Sequence, residues 1–172
     1  MKKLLFFSVI AVIIVSSIWY FDKTPPLTTT CIFCTATINN QVFYDDGLVR
    51  CLFSYKPVYP GHSLIIPKRH VERFEDLTQQ EITGMMAIIK KVHAAHQRLY
   101  GACSYFLLQK NGREVGQTVP HVHFHYIPRR LGNYSQLSIF WHMILAAHLK
   151  PALSRELLNQ EALTMRGALA AS

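Results

Sequence analysis

The sequence predicts an α+β fold: about five antiparallel strands with one long helix inserted among them, C-terminal helices after them, and a membrane-crossing helix in front. Three observations carry this expectation. Short β-rich runs bounded by turn residues occupy 41–66 and 104–127, a single capped and periodic helix lies between them, and an apolar stretch fills 4–21. The 172 residues, 50% apolar and 16% charged, have the length of about one domain. Collagen-like, disordered and repeat architectures are excluded.

Met1-Lys2-Lys3 is followed by Leu4 to Phe21, interrupted only by Ser8, Ser16 and Ser17, and then by Asp22-Lys23-Thr24-Pro25-Pro26. As a helix this stretch is about 27 Å long, enough for a hydrocarbon core of about 30 Å. A buried core helix would show a polar face, and a cleaved signal peptide would need small residues at the cut, for which Val15-Ser16-Ser17 is only passable. The bulky Ile18-Trp19-Tyr20 instead suits an interfacial belt. The expectation is an uncleaved single-pass anchor, with Lys2 and Lys3 cytoplasmic and the rest of the chain extracytoplasmic; secretion after cleavage is the alternative. The domain boundaries expected are 1–30 for anchor and spacer, 31–130 for the main domain and 131–172 for a helical extension.

Gln41–Tyr44 and Leu48–Ser54 flank Asp45-Asp46-Gly47 and read as a hairpin. His62–Ile66, between Pro60-Gly61 and Pro67, is a third strand. Thr78-Gln79-Gln80-Glu81 is a capping-box sequence ahead of Ile82, Met85, Met86, Ile89, Val92 and Leu99, with Gly101 as the stop. Ser104–Gln109 and Pro120–Ile127 complete the strands. Beyond Arg130 the chain is helical over 137–149, broken by Pro151, and amphipathic from Ala152 to about Met165.

Chemistry concentrates in Pro120-His121-Val122-His123-Phe124-His125-Tyr126-Ile127. In a strand, residues two apart share a face, so the three imidazoles project together and Val122, Phe124 and Tyr126 project into the core. Packing alone does not explain such an alternation. Either the histidines bind a metal or one is a nucleophile oriented by the others. Gly112-Arg113-Glu114-Val115-Gly116-Gln117-Thr118, just ahead, suits an anion, because its glycines let backbone N–H groups approach closely. The surplus of 18 Lys and Arg over 10 Asp and Glu, a net charge of +8, also favours anionic partners. The four cysteines, Cys31, Cys34, Cys51 and Cys103, are too few for a disulfide scaffold, but the first two form C-x-x-C.

These residues resemble the histidine-triad (HIT) family of nucleotide hydrolases and transferases, whose signature alternates three histidines with apolar residues. Gly116-Gln117-Thr118-Val119, Lys56-Pro57-Val58-Tyr59-Pro60-Gly61-His62 and His70-Val71-Glu72-Arg73-Phe74 look like the fragile-histidine-triad branch, which cleaves dinucleoside polyphosphates. Cys31-Ile32-Phe33-Cys34 looks like the opening of bacterial members that hold a structural zinc. The resemblance implies a HIT-like fold over 31–130, zinc ligands Cys31, Cys34, His70 and His121, and a nucleophile, His123, that attacks an α-phosphorus to form a nucleotidyl-histidine. It further implies supporting roles for His62, His125 and Thr118, and substrate contacts from Leu52, Ser54, Lys110, Gly116, Gln117 and Thr118. The partners implied are a nucleotide or other phosphate ester, rather than a nucleic acid, and a second copy in a homodimer. Family members carry Asp or Asn where Ser54 stands and Asn or Gln where Lys110 stands, so ribose recognition differs here. Three readings stay open: hydrolase or transferase, a membrane-tethered nucleotide-binding module with little turnover, and a protein that binds a metal through the three histidines directly. At Cys31 and Cys34, zinc competes with a disulfide.

Overall fold

Turn chemistry makes the first hairpin. The Asp45 carboxylate accepts the Gly47 N–H and the Asp46 carboxylate accepts those of Leu48 and Val49, at 2.7–3.0 Å, while Gly47 takes a positive φ of 88°. Strand β1 (Val42–Asp45) is thereby folded back on β2 (Val49–Phe53). The computed structural model describes residues 30–132 and 135–171. In it β3 (Ser63–Pro67), β4 (Cys103–Gln109) and β5 (Phe124–Arg130) complete a five-stranded sheet of order β1-β2-β3-β5-β4, in which every pairing is antiparallel.

Helix α1 (Gln79–Tyr100) starts at Thr78, where the expected capping box is complete, and ends at Gly101, which holds φ 85°. Met85, Ile89 and Val92 on its apolar face enter the core with Val49, Cys51, Phe53, Ile65 and Tyr126 from one face of the sheet. Each fully buried side chain of this size contributes about 1.5–3 kcal/mol. After α2 (Gln136–His148), helix α3 (Arg155–Ala170) adds Leu158, Ala162 and Met165 to the same core. The opposite face of the sheet presents Val42, Leu52, Leu64 and Ile66 to Phe33 and Ile38, which sit on short 3-10 turns before β1.

Two expectations are corrected. Over the described residues the fold class is α+β with five antiparallel strands and no membrane-crossing helix, and the single-pass, extracytoplasmic placement is corrected with it. Among the described residues no helix is long and apolar enough to cross a membrane. The reason is visible in each: α1 carries Glu81, Lys90, Lys91 and Arg98, α3 carries Arg155, Glu156, Glu161 and Arg166, and α2 is short. The stretch 4–21 itself lies outside the described residues.

The last strand also begins later than expected, at Phe124 rather than Pro120. Upstream of it the backbone bonds elsewhere: His121 N–H donates to Val119 O and Val122 N–H to Val71 O, in the loop after β3. His121 and His123 therefore lie on an extended lead-in, and only His125 is a strand residue.

Candidate functional site

Strand pairing lays one row of side chains across the sheet. Val42 lies opposite Leu52, Leu52 opposite Leu64, and Leu64 opposite His125. Cross-strand partners share a face, so the His125 ring stands on the face that Phe33 and Ile38 cover. Between that row and the 3-10 turns is a cavity of about 440 Å³, bordered at one end by Thr118, His123 and His125 and floored by Leu52 and Leu64, with Ser54 at its side. Its size is that of a small-molecule site.

The tautomers of three imidazoles, His62 and His123 buried and His125 half-buried, follow from their partners. Nδ1 of His123 lies 2.7 Å from the His121 carbonyl oxygen. A carbonyl only accepts, so Nδ1 carries the proton and Nε2 keeps its lone pair. Nδ1 of His62 accepts the Val58 main-chain N–H at 3.2 Å, which leaves the proton on Nε2, and that nitrogen lies 2.9 Å from Nδ1 of His125. His62 therefore donates to His125, whose own proton sits on Nε2. Burial, with the neighbouring His123 charge, pushes the His62 pKa down to about 3. Burial, with the charges of His123, His62 and Lys110, takes His125 down to about 2. Burial lowers His123 as well, against the pull of the His121 carbonyl. All three are neutral near pH 7. A neutral imidazole with a free nitrogen at a cavity wall, backed by two neutral partners, is equipped for nucleophilic attack on an electrophile.

The loop before the triad is held open by its glycines and braced from inside. Gly112 and Gly116 hold φ of 120° and 81°. The Gln117 side chain is spent on the loop itself: Oε1 accepts from Gly112 N–H at 2.6 Å and Nε2 donates to the Glu72 carbonyl at 3.0 Å. Lys110 Nζ donates to the Gly116 carbonyl at 3.2 Å, close enough for its charge to act on His123 and His125. The Ser54 hydroxyl donates to Lys56 O at 3.2 Å.

A second cluster lies beside the first. One ligand atom each from Cys31, Cys34, His70 and His121 lie within 4.8 Å of one another. Nδ1 of His121 is 3.4 Å from Cys31 Sγ and 3.6 Å from Cys34 Sγ, and Nδ1 of His70 is 3.5 Å from Cys34 Sγ. These are the edges of a tetrahedron whose metal–ligand bonds are about 2.0–2.3 Å. His121 Nε2 donates to Pro67 O at 2.9 Å, so its Nδ1 lone pair faces the thiols. Both cysteines are free thiols. The donor set fits a metal ion.

The triad thus divides its labour: His121 turns to the thiols, His123 to the cavity, and His125 to His62. A five-stranded antiparallel sheet with this division along its β5 strand and the extended lead-in to it defines a histidine-triad protein. The chain belongs to that family: the model described as HIT domain matches residues 35–132, more than half of its length. The asymmetrical bis(5'-nucleosyl)-tetraphosphatase of Schizosaccharomyces pombe is 38% identical over 117 residues, covering 68% of this chain and 58% of that protein. The solved nitrilase and fragile-histidine-triad fusion protein of Caenorhabditis elegans superposes with a TM-score of 0.62 at 32% identity, covering 75% of this chain and 27% of that one. A zinc-bound histidine-triad protein from Mycobacterium smegmatis gives 0.62 at 25% identity, covering 83% and 94%. The chain thus spans little more than half of the yeast relative and under a third of the fusion protein.

Sequence reasoning missed part of the cavity. As the residues between two cysteines, Ile32 and Phe33 carry no predicted role, yet both line it, as do Leu153 and Arg155 from beyond the matched segment. The Phe33 ring meets His121 and His123 edge-on, with centroids 5.7 and 5.4 Å apart. The apolar pair inside C-x-x-C was the available signal; for Arg155 there was none.

Proposed function

We propose that the protein hydrolyses nucleotides of the dinucleoside polyphosphate or nucleoside phosphoramidate type, through a covalent nucleotidyl-histidine on His123. The observation that carries this is the hydrogen bond from His123 Nδ1 to the His121 carbonyl, which leaves Nε2 as the nucleophile at the cavity. Nε2 attacks the α-phosphorus and the bond to the leaving phosphate or amine breaks. The Nδ1 proton stays in place, so the nucleotidyl-imidazole is cationic; water then attacks the phosphorus, the P–Nε2 bond breaks and the proton the water sheds passes to the leaving group or to solvent, giving a nucleoside monophosphate and neutral His123. The His125 Nε2–H stabilises charge on the leaving atom, and Thr118 with the backbone around Gly116 and Gln117 meets the phosphoryl oxygens. Leu52 and Ser54 contact the nucleoside, and Lys110 the phosphate chain. Activities named for the yeast and other eukaryotic relatives support this reading. Zinc bound by Cys31, Cys34, His70 and His121 would act structurally, holding the backbone that orients His123; the zinc-bound relative supports that choice of metal. A second copy would pair along β4, whose outer edge bears exposed Tyr105, Phe106 and Leu107 and has no strand partner among the described residues.

The test is incubation with a panel of dinucleoside polyphosphates and phosphoramidates, followed by quenching and mapping of an acid-labile adduct. Label on His123, and loss of turnover by several orders of magnitude in His123→Ala, are expected. Near-normal turnover of that variant refutes the covalent route. A nucleotide-binding module with little turnover is the second reading, favoured by the commitment of the Ser54 hydroxyl to Lys56 O. Ser54→Asp separates the two: it raises kcat/KM in a hydrolase and affinity alone in a binding module.

A further inference from the structure

We propose that Arg155 reads the acceptor edge of the nucleobase and gives the site a preference for guanine over adenine. This rests on the nucleotide reading above. The row from His125 on β5 through Leu64 and Leu52 to Val42 on β1 spans three strand spacings, about 14 Å. With the phosphorus at His123, the nucleoside lies along that row, and its far end, the base edge, reaches the end of the cavity next to β1. Asn40, Gln41 and Arg155 border that part of the wall.

The rim there is built. Asn40 Nδ2 donates to the Arg155 carbonyl at 3.4 Å, and Leu153 N–H donates to Tyr55 O at 2.8 Å. Both anchors lie within the segment 153–155 that leads into α3, and Ser154 caps that helix through Leu157 N–H. Among the described lining residues there is no Asp, Glu or Lys, and Arg155 is the one permanent cation. Its charge acts on the neighbouring Glu156 carboxylate, which the Glu156 backbone N–H, the Ser154 side chain and then Arg155 hold below the usual range, but no described carboxylate lines the cavity itself. Ile38, on the 3-10 turn just before β1, supplies apolar wall at this end and suits the face of a planar base. Guanine offers O6 and N7 to a guanidinium fork; adenine replaces O6 with an amino donor, which repels it.

The experiment is calorimetric titration of the full chain with GMP and with AMP, for the wild type, Arg155→Ala and Arg155→Lys, with thermal melting to verify folding. Arg155 is exposed, so both variants are expected to fold. The wild type should bind GMP about tenfold more tightly than AMP, with the ratio falling close to one in Arg155→Ala and recovering only slightly in Arg155→Lys, which keeps the charge but loses the fork. Equal binding of GMP and AMP by the wild type overturns the Arg155 assignment alone. A loss in Arg155→Ala shared equally by both nucleotides overturns it too, since that is the mark of a phosphate contact or of stacking. Failure of the wild type to bind either nucleotide removes the nucleotide reading and this inference together.

Discussion

His62 Nε2 lies 2.9 Å from Nδ1 of His125, and the other nitrogen of His62 is held by the Val58 N–H. One backbone amide thereby sets the tautomer of two imidazoles in succession and leaves the His125 proton on the nitrogen away from His62. Pro60-Gly61 positions this arrangement: Gly61, at φ 84°, passes so close to the His96 ring that a Cβ there would lie 2.2 Å from its Nε2.

His62→Ala should lower kcat about two- to tenfold, with KM within a few-fold, since it removes an orienting hydrogen bond between neutral rings of about 0.5–1.5 kcal/mol and no substrate contact. Steady-state kinetics on a dinucleoside polyphosphate checks this. An unchanged kcat would show that His125 needs no partner.

Stability should decline on acidification before the carboxylates titrate. His62 and His125 have folded pKa values of about 3 and about 2 against an ordinary value of 6.5. Above pH 6.5 both are neutral folded or unfolded, and no penalty exists. Below it the unfolded chain takes up protons that the native site refuses, so stability falls by up to about 1.4 kcal/mol per pH unit for each, down towards the folded pKa. Urea midpoints between pH 7 and pH 4 measure the slope. In a variant with both residues replaced by Gln, the decline over this window should be smaller.

Purified protein should hold about one zinc per chain, and a strong chelator should lower its Tm, because the four ligands tie residues 31–34 to the loop after β3 and to the triad. Elemental analysis with melting curves decides it. A metal-free chain with Cys31 bonded to Cys34 would replace the metal site by a disulfide.

Glu81→Ala should cost about 1–2 kcal/mol. Its carboxylate closes the capping box on Thr78 N–H at 2.8 Å and accepts Arg69 Nε and Nη2 at 3.0 and 2.8 Å, and those hydrogen bonds hold its pKa below the usual range. Denaturant titration at pH 7 measures the loss, and at a pH low enough to protonate Glu81 the difference from wild type should shrink.

Local signals were legible and long-range ones were not. The capping box at Thr78 and Glu81, the Asp-Asp-Gly hairpin and the stop at Gly101 act within a few residues, so sequence order reveals them. Periodicity correctly sent Val122 and Tyr126 to the core, but it could not show that Val71 captures the Val122 N–H and keeps His121 and His123 out of the strand. The meeting of Cys31, Cys34, His70 and His121 depends on strand order and was legible only through the family resemblance; that of Asn40 with Arg155 had no signal at all.

The hydrogen bond from Asn40 to Arg155 closes a loop of 115 residues. One wall of the cavity is therefore among the first described segments to be synthesised and the other among the last. On a ribosome the triad, its loop and the sheet emerge while the end of the cavity next to β1 still stands open, and the enclosure forms only when 153–158 dock. Completion of the cavity is thus a late event in folding, and a chain stopped at Pro151 would keep its histidines yet lack the far wall.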